Sequence, residues 1–245
     1  GMGEFTSKIT GLKAGTVYHL RAYATNSVGT AYGADISFSS KMTIPKVTSI
    51  IGSAINATTA ACGGNITNDG GATVTSRGVC WNKSLNPTIA DNKTIDGTGN
   101  GSFTSNITGL FPGTTYYLRA YATNSVGTAY GNSISFTTND TVPTLNTTDV
   151  SSITITTAIS GGDITNDGGA EVTTRGVCWS ITPKPTIANS KTIDGSGVTG
   201  FTSNLTGLTA NTTYYVRAYA TNNVGTGYGN TIIIKTYAVA DEDGN

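Results

Sequence analysis

The sequence predicts an all-β protein built from repeated two-sheet sandwiches, of which the first is partial. The segment LFPGTTYYLRAYATNSVGTAYG at residues 110–131 has near copies at residues 12–33 and 208–229, so one unit recurs every 98 residues. Each copy alternates apolar and polar residues with the period of a half-buried strand. Clusters of Asn, Asp, Gly and Pro separate these runs, and a repeat of this length indicates several small modules.

The repeated segment is a turn followed by a long strand. Pro112 and Gly113 have turn chemistry, because proline presets φ and glycine accepts a positive φ. In the third copy Asn211 stands at the position of Gly113, which indicates that the left-handed backbone is needed there. Residues 116–124 then alternate, and one face carries Tyr116, Leu118, Ala120 and Ala122. Residues 128–138 supply the partner strand of a hairpin.

The remainder of each complete unit predicts further short strands. In the first complete unit a strand begins after Pro45, and others span residues 58–66, 74–81 and 102–107, with a short edge strand at residues 93–95. The run Asn-Asp-Gly-Gly at residues 68–71 predicts a tight turn, and residues 166–169 repeat it in the next unit.

These residues resemble a known family. The second half of a fibronectin type III-like, immunoglobulin-type sandwich domain has the order and spacing shown here by Leu110, Pro112, Gly113, Thr114, Tyr116, Leu118, Ala120, Ala122, Asn124 and Gly127. The resemblance implies that Tyr18, Tyr116 and Tyr214 are corner tyrosines at the start of strand F. The runs GVCW, NPTIA and TIDGTG at residues 78–81, 86–90 and 94–99 resemble those of divergent sandwich repeats in Bacteroidetes cell-surface proteins.

The repeat divides the chain into four parts. Residues 1–40 match the last three strands (E, F and G) of a unit, residues 41–138 and 139–237 are complete units, and residues 238–245 form a charged tail that we expect to lead to a missing module. Three strands cannot cover their own apolar face, which carries Phe5, Ile9, Leu12, Leu20 and Ile36. We therefore predict either a homodimer through residues 1–40 or a fragment that leans on its neighbours.

Composition argues against several function classes. Formal net charge is zero and charged residues are 11% of the chain, which disfavours binding to nucleic acid. The sequence contains no apolar run of 18 residues, which disfavours direct membrane insertion. The single histidine, His19, cannot form a zinc site alone. A calcium site usually needs several carboxylates, but each acidic loop supplies only one. These carboxylates belong to Asp69, Asp96, Asp167 and Asp194. We predict no catalytic residues, no metal and no cofactor.

The three cysteines leave two states open. Cys62 and Cys80 are the possible intra-unit disulfide, but Ser160 replaces Cys62 in the next unit and Cys178 then has no partner. Strands B and C also belong to opposite sheets in the family that the chain resembles. Half-buried free thiols are therefore favoured over a disulfide.

One outward stripe is the candidate binding feature. The strand alternation places Tyr117, Arg119 and Tyr121 on the outer face, with Tyr215, Arg217 and Tyr219 in the next unit and His19, Arg21 and Tyr23 in the first segment. Aromatic faces stack on sugars and arginine anchors protein interfaces. The alternative, which the recurrence in every copy favours, is that arginine packs over its tyrosine neighbours and only supports the sheet.

Together these features predict a non-catalytic, exported modular protein. We expect a cell-surface adhesion or spacer segment that mediates protein interactions, with carbohydrate-binding modules of a polysaccharide-utilising surface system as the alternative. Asp140-Thr141-Val142 resembles the sequon at which Bacteroidetes attach O-linked glycans, so Thr141 is a candidate modification site.

Overall fold

The computed structural model describes residues 2–239 and contains only strands in that range. Among these residues there is no helix with the length and apolarity needed to cross a bilayer. The chain forms two compact units: one comprises Gly1–Ile55, Thr59–Thr108 and Thr115–Thr137, and the other Asn56–Thr58, Gly109–Thr114 and Thr138–Asn245. The first unit therefore contains residues 1–40 together with most of the repeat that follows.

The first segment of unit 1 forms two separate strand pairs. Its four strands are β1 (Val17–Leu20), β2 (Tyr23–Thr25), β3 (Thr30–Tyr32) and β4 (Ile36–Ser39), with β1 paired to β4 and β2 to β3. The strand predicted at the start of this segment is not formed, since residues 4–13 have no strand. In the complete repeats this strand hydrogen-bonds to strand B, and the described residues that precede residue 4 supply no such strand.

A complete sandwich makes up the rest of unit 1. Its strands are β5 (Lys46–Ile55), β6 (Thr59–Asn68), β7 (Ser76–Asn82), β8 (Asn92–Lys93), β9 (Gly101–Thr108), β10 (Thr115–Thr123), β11 (Thr128–Tyr130) and β12 (Ile134–Thr137). One sheet has the order β5-β6-β9, and the other β11-β10-β7-β8 with β12 also on β10. These are sheets A-B-E and C′-C-F-G of a fibronectin type III-like sandwich, which confirms the predicted fold class.

Unit 2 repeats this topology. Its strands are β13 (Thr144–Ser151), β14 (Ala158–Asn166), β15 (Thr174–Ser180), β16 (Ser190–Lys191), β17 (Phe201–Leu205), β18 (Thr213–Thr221), β19 (Thr226–Tyr228) and β20 (Ile232–Lys235). The sheets are β13-β14-β17 and β16-β15-β18-β19, with β20 also on β18. The sequence predicted one partner strand for strand F. The structure has two short partner strands, because the residues between them do not pair with strand F.

The core lies between the two sheets, where the alternation predicts it. On β10, Tyr116, Leu118, Ala120 and Ala122 are all buried, and Phe103 and Ile107 on β9 face them from the other sheet. Ser49 on β5 joins the sheets, since its hydroxyl accepts the Ala120 N–H at 3.0 Å and donates to the Asn132 carbonyl at 2.6 Å. Thr147, Ala218 and Asn230 make the same bridge in unit 2.

The cysteines are all free and buried. Cys62 lies on β6 and Cys80 on β7, which belong to opposite sheets. Burial raises the pKa of Cys62 to about 12, with the nearby Asp96 carboxylate adding to the shift. Burial likewise raises the pKa of Cys80 and of Cys178 to about 11. The thiols are therefore neutral at physiological pH.

The repeat boundaries and the tail remain predictions from the sequence. The division at residues 40, 138 and 237 is a sequence prediction, and the compact units follow different limits. The predicted tail, residues 238–245, lies outside the described residues from residue 240 onward.

Candidate functional site

The predicted corner tyrosines contact nearby backbone or a neighbouring ring. The phenol oxygen of Tyr18 accepts the backbone N–H of Lys13 at 2.8 Å, and that of Tyr214 accepts the N–H of Thr209 at 3.0 Å. The hydroxyl therefore satisfies a backbone donor five residues upstream. Tyr116 is buried and its ring stacks on Phe136 with centroids 5.9 Å apart.

The stripe arginines are held by their own sheet. The Arg119 guanidinium lies 4.7 Å from the ring centroid of Tyr130, and its Nε donates to the Gly131 carbonyl at 2.9 Å. Arg217 repeats both contacts with Tyr228 and Gly229 at the same distances. The cation–π contact occupies one face of the neighbouring tyrosine ring, and the hydrogen bond occupies the Nε donor of the arginine. Fewer donors of the arginine are therefore free to bind a ligand.

Tyr121 and Tyr219 are not on an exposed stripe, which corrects their predicted position. They are 2% and 1% exposed. The Tyr121 hydroxyl donates to the Thr94 carbonyl at 2.7 Å, and the Tyr219 hydroxyl donates to the Thr192 carbonyl at 2.6 Å. Strand alternation correctly assigns them to the outer face, but another part of the chain covers that face.

The cover is the segment between strands C and E, here called the C–E connection (residues 83–100 and 181–198). Its Ile89 N–H donates to the Tyr130 hydroxyl at 3.2 Å. A sulfur–carbonyl contact of 3.4 Å joins Cys80 to Pro87. The strand alternation does not predict this second, outer core, although Gly78 in mid-strand is a usable signal. A Cβ at Gly78 would lie 2.3 Å from the Thr94 carbonyl oxygen, and glycine inside a strand marks such a close approach.

The acidic loop residues fix local structure. Thr94 and Ser105 hydroxyls both donate to the Asp96 carboxylate, and Thr192 and Ser203 do the same for Asp194. Asp69 and Asp167 accept the N–H of the second glycine in their turns, at 2.9 and 2.8 Å. Within residues 2–239, no three His, Cys, Asp or Glu side chains come together in a metal-binding arrangement.

His19 lies in an open setting. Its Nδ1 is 2.8 Å from Asp35 Oδ2, and both side chains are more than half exposed. The hydrogen bond orients the imidazole on the β1–β4 pair. General acid–base or nucleophilic work usually takes place in a cleft that limits water, and no such enclosure surrounds this pair.

Thr141, the candidate glycosylation residue, has a fixed backbone. Its N–H donates to the Gly168 carbonyl at 2.7 Å, and its carbonyl accepts from Asn222 Nδ2 at 2.7 Å. The residue is half-buried, while its neighbour Asp140 is exposed. Modification at Thr141 stays a prediction.

The first segment contains an exposed apolar surface, here called the open face (Phe5, Ile9, Leu12, Leu20 and Ile36). Phe5 is 67% exposed where its counterpart Phe103 is 8%, and Leu20 is 37% exposed where Leu118 is fully buried. A groove of about 720 Å³ runs along Phe5, Ile9, Leu20, Arg21, Ala22 and Tyr23. These side chains keep the identity of core residues but lack the sheet that covers their counterparts.

The outer side of the same segment is also uncovered. Tyr23 and Tyr32 lie with ring centroids 6.3 Å apart, and Arg21 is 5.0 Å from the Tyr32 centroid. Tyr23 is 66% exposed, in contrast to its counterparts Tyr121 and Tyr219. The position shared by Tyr23, Tyr121 and Tyr219 is therefore exposed in this segment and buried in the two complete repeats, where Tyr117 and Tyr215 are half-buried.

Comparisons with known proteins add little to this picture. No protein-family model matches the chain, and no curated protein sequence matches it significantly. A crystal structure of the FN1–FN3 domains of chicken CNTN1 is similar at 16% identity and a TM-score of 0.32, covering 92% of this chain and 77% of that one. The assignment of the fold therefore rests on the sheet order described above.

Proposed function

We propose that the chain is a non-catalytic segment of an exported, cell-surface protein, acting in adhesion or as a spacer and mediating protein interactions. The open face is the observation that carries this proposal. A contiguous exposed apolar patch of more than a few hundred Å² is uncommon on a monomer and marks an interaction surface. The resemblance of the GVCW, NPTIA and TIDGTG runs to Bacteroidetes surface repeats supports an extracellular location in that group of bacteria.

A second copy of the chain is the proposed partner at the open face. Each copy exposes the same apolar side chains, and a two-fold contact would bury Phe5 and Leu20 of both copies at once. Burial of one such side chain contributes about 1.5–3 kcal/mol. Several of them would offset part of the entropy lost on association.

Sedimentation velocity of the full chain tests this contact. We expect wild type to show concentration-dependent dimers and Leu20→Glu to be monomeric, since a carboxylate would have to be desolvated at the contact. Ile193→Glu is the matched control, because Ile193 is 70% exposed and belongs to unit 2, whereas the open face belongs to unit 1. A wild-type monomer at high concentration, or equal association of the two variants, would contradict the proposal.

Carbohydrate binding is the second candidate, favoured by the exposed pair Tyr23 and Tyr32. Two accessible rings beside Arg21 offer stacking surface and a hydrogen-bond donor to a sugar. A glycan array with wild type and Tyr23→Ala tests it, with Tyr117→Ala and Tyr215→Ala as comparisons in the complete repeats. Binding lost only in Tyr23→Ala would support the candidate, and absence of wild-type binding would remove it.

A further inference from the structure

Two kinds of turn recur in the chain and contact each other. The B–C turn is the Asn-Asp-Gly-Gly run at residues 68–71 and 166–169, and the E–F turn precedes strand F at residues 13–16, 111–114 and 209–212. We infer that the second glycine of each B–C turn is a docking residue for the glycine-bearing E–F turn of the preceding copy. The third E–F turn, which carries Asn211, is excluded from such a contact.

Inside unit 1 the contact joins Gly15 and Gly71. A Cβ added to Gly15 would lie 2.5 Å from the Gly71 carbonyl oxygen, and a Cβ added to Gly71 would lie 2.4 Å from the Ala14 carbonyl oxygen. Both obstacles are backbone atoms, which cannot rotate away as a side chain can. Only glycine allows two backbones to approach this closely.

Inside unit 2 the same contact joins Gly113 and Gly169. A Cβ on either glycine would lie 2.5 Å from the Cα atom of the other. The recurrence of one backbone-to-backbone contact, with the same two glycine positions, shows that it belongs to the repeat and is not an accident of one loop.

The two glycines of a B–C turn have different roles. A Cβ on Gly70 would meet the Thr43 carbonyl oxygen at 2.0 Å, and one on Gly168 would meet that of Thr141 at 2.0 Å. The first glycine therefore makes room for the segment that leads into the first strand of its own repeat. The second glycine makes room for the E–F turn of the preceding copy.

Asn211 shows that the backbone conformation of the E–F turn does not by itself require glycine. Its φ is 52°, close to 56° at Gly113 and 61° at Gly15. Its N–H donates to the Tyr237 carbonyl at 2.9 Å, as the Gly113 N–H donates to the Asn139 carbonyl at 3.3 Å. The E–F turn thus keeps its conformation with asparagine, so the left-handed backbone alone does not explain the glycine at residues 15 and 113.

The partner that each E–F turn accepts follows from this comparison. The turns at Gly15 and Gly113 fit the flat backbone of a Gly-Gly B–C turn. The turn at Ala210–Asn211 has a side chain at the point of contact, and Asn211 is exposed. A further module with the same B–C turn could not dock on it in the same way.

Limited proteolysis of the full chain tests the contact in unit 2. Endoproteinase Asp-N cuts before Asp140, which lies next to this contact, since a Cβ on Gly113 would be 2.6 Å from Asp140 Oδ1. We expect Gly169→Ala to speed cleavage at Asp140 roughly ten-fold, because cleavage follows the population of the open state. Gly113→Asn should do the same, and the double variant should be no faster than either single variant, since all three remove one contact.

Two controls separate the contact from the cost of a positive φ. Gly207→Ala places alanine at φ 72° with nothing within 4 Å, and Asn211→Gly places glycine in the E–F turn that follows the last B–C turn of the sequence. Both should cleave at the wild-type rate. The inference is overturned if Gly169→Ala cleaves no faster than Gly207→Ala, or if the double variant shows the product of the single effects.

The equivalent contact in unit 1 provides a second test in case the variants in unit 2 do not fold. Gly15→Asn lies outside the strands of both sandwiches and should speed tryptic cleavage at Lys41 while the sandwich signals of Trp81 and Trp179 stay unchanged. Unchanged cleavage at Lys41 in this variant would count against the docking role.

Discussion

The buried tyrosine of the outer core offers a sharp test of this structure. In Tyr219→Phe the ring stays, but the hydroxyl that donates to the Thr192 carbonyl at 2.6 Å is lost. Tyr219 is 1% exposed, so water has little access to the carbonyl left without this donor. The C–E connection of unit 2 would lose one of its attachments to the sheet.

The expected cost is about 1–3 kcal/mol in the free energy of unfolding, the penalty for leaving a buried polar group unsatisfied. For a domain of about 100 residues each kcal/mol lowers Tm by roughly 4–8 °C. Tyr23→Phe is the matched control because Tyr23 holds the equivalent position in the first segment and is exposed. It should change stability by less than about 0.5 kcal/mol.

The same residue predicts an alkaline dependence. Burial raises the pKa of Tyr219 to about 12, above about 10 for a free tyrosine. The folded state therefore favours the neutral phenol, and its contribution to stability is complete below pH 10 and is lost as the pH rises through 12. The difference between wild type and Tyr219→Phe should shrink over that interval.

Urea unfolding followed by tryptophan fluorescence measures these effects. The chain has two tryptophans, so a Trp81→Phe background leaves Trp179, which pairs with Val216 on the same strand as Tyr219, as the reporter for unit 2. A Trp179→Phe background leaves Trp81 as the reporter for unit 1, where Tyr23→Phe is measured. A loss equal to that of Tyr23→Phe, or a difference that does not change between pH 10 and 12, would refute the assignment of Tyr219 to a buried hydrogen bond.

Three further predictions concern the core. Tyr214→Phe should cost about 1–2 kcal/mol in urea unfolding by leaving the Thr209 N–H without its acceptor, and an unchanged midpoint would contradict the corner role. The three thiols, with raised pKa, should not react with a thiol-specific disulfide reagent in the native protein and should all react in urea; native labelling would contradict their burial. Gly64→Val should destabilise the sandwich of unit 1 by more than about 3 kcal/mol, because its Cβ would lie 2.6 Å from Ala120 Cβ, and a Tm within a few degrees of wild type would show that the sheets can separate.

Much of the fold could be predicted from local pattern. The period of 98 residues identified the repeats, and alternation assigned Leu118 and Ala120 to the core, where they are fully buried. Alternation works because successive side chains on a strand point to opposite faces. The match of residues 1–40 to only three strands of a unit predicted that Phe5 and Leu20 would lack an opposing sheet within the chain.

The candidate site was less predictable. Alternation gives the face of Tyr121 but not what lies above that face, and the C–E connection that covers it is held by contacts distant in sequence. The missing strand at residues 4–13 has a related cause, since a strand forms only where another strand supplies its hydrogen bonds.

The amino-acid sequence by itself determined the repeat, the strand faces and the turns, because these depend on neighbouring residues and on the chirality of the backbone. Only the tertiary structure showed which outer side chains the C–E connection covers. Only the tertiary structure also showed which backbone segments lie against the two glycines of each B–C turn. Those features depend on contacts such as Gly15 with Gly71, in which backbone meets backbone across many intervening residues. The local sequence pattern does not show which residues far apart in the chain come into contact.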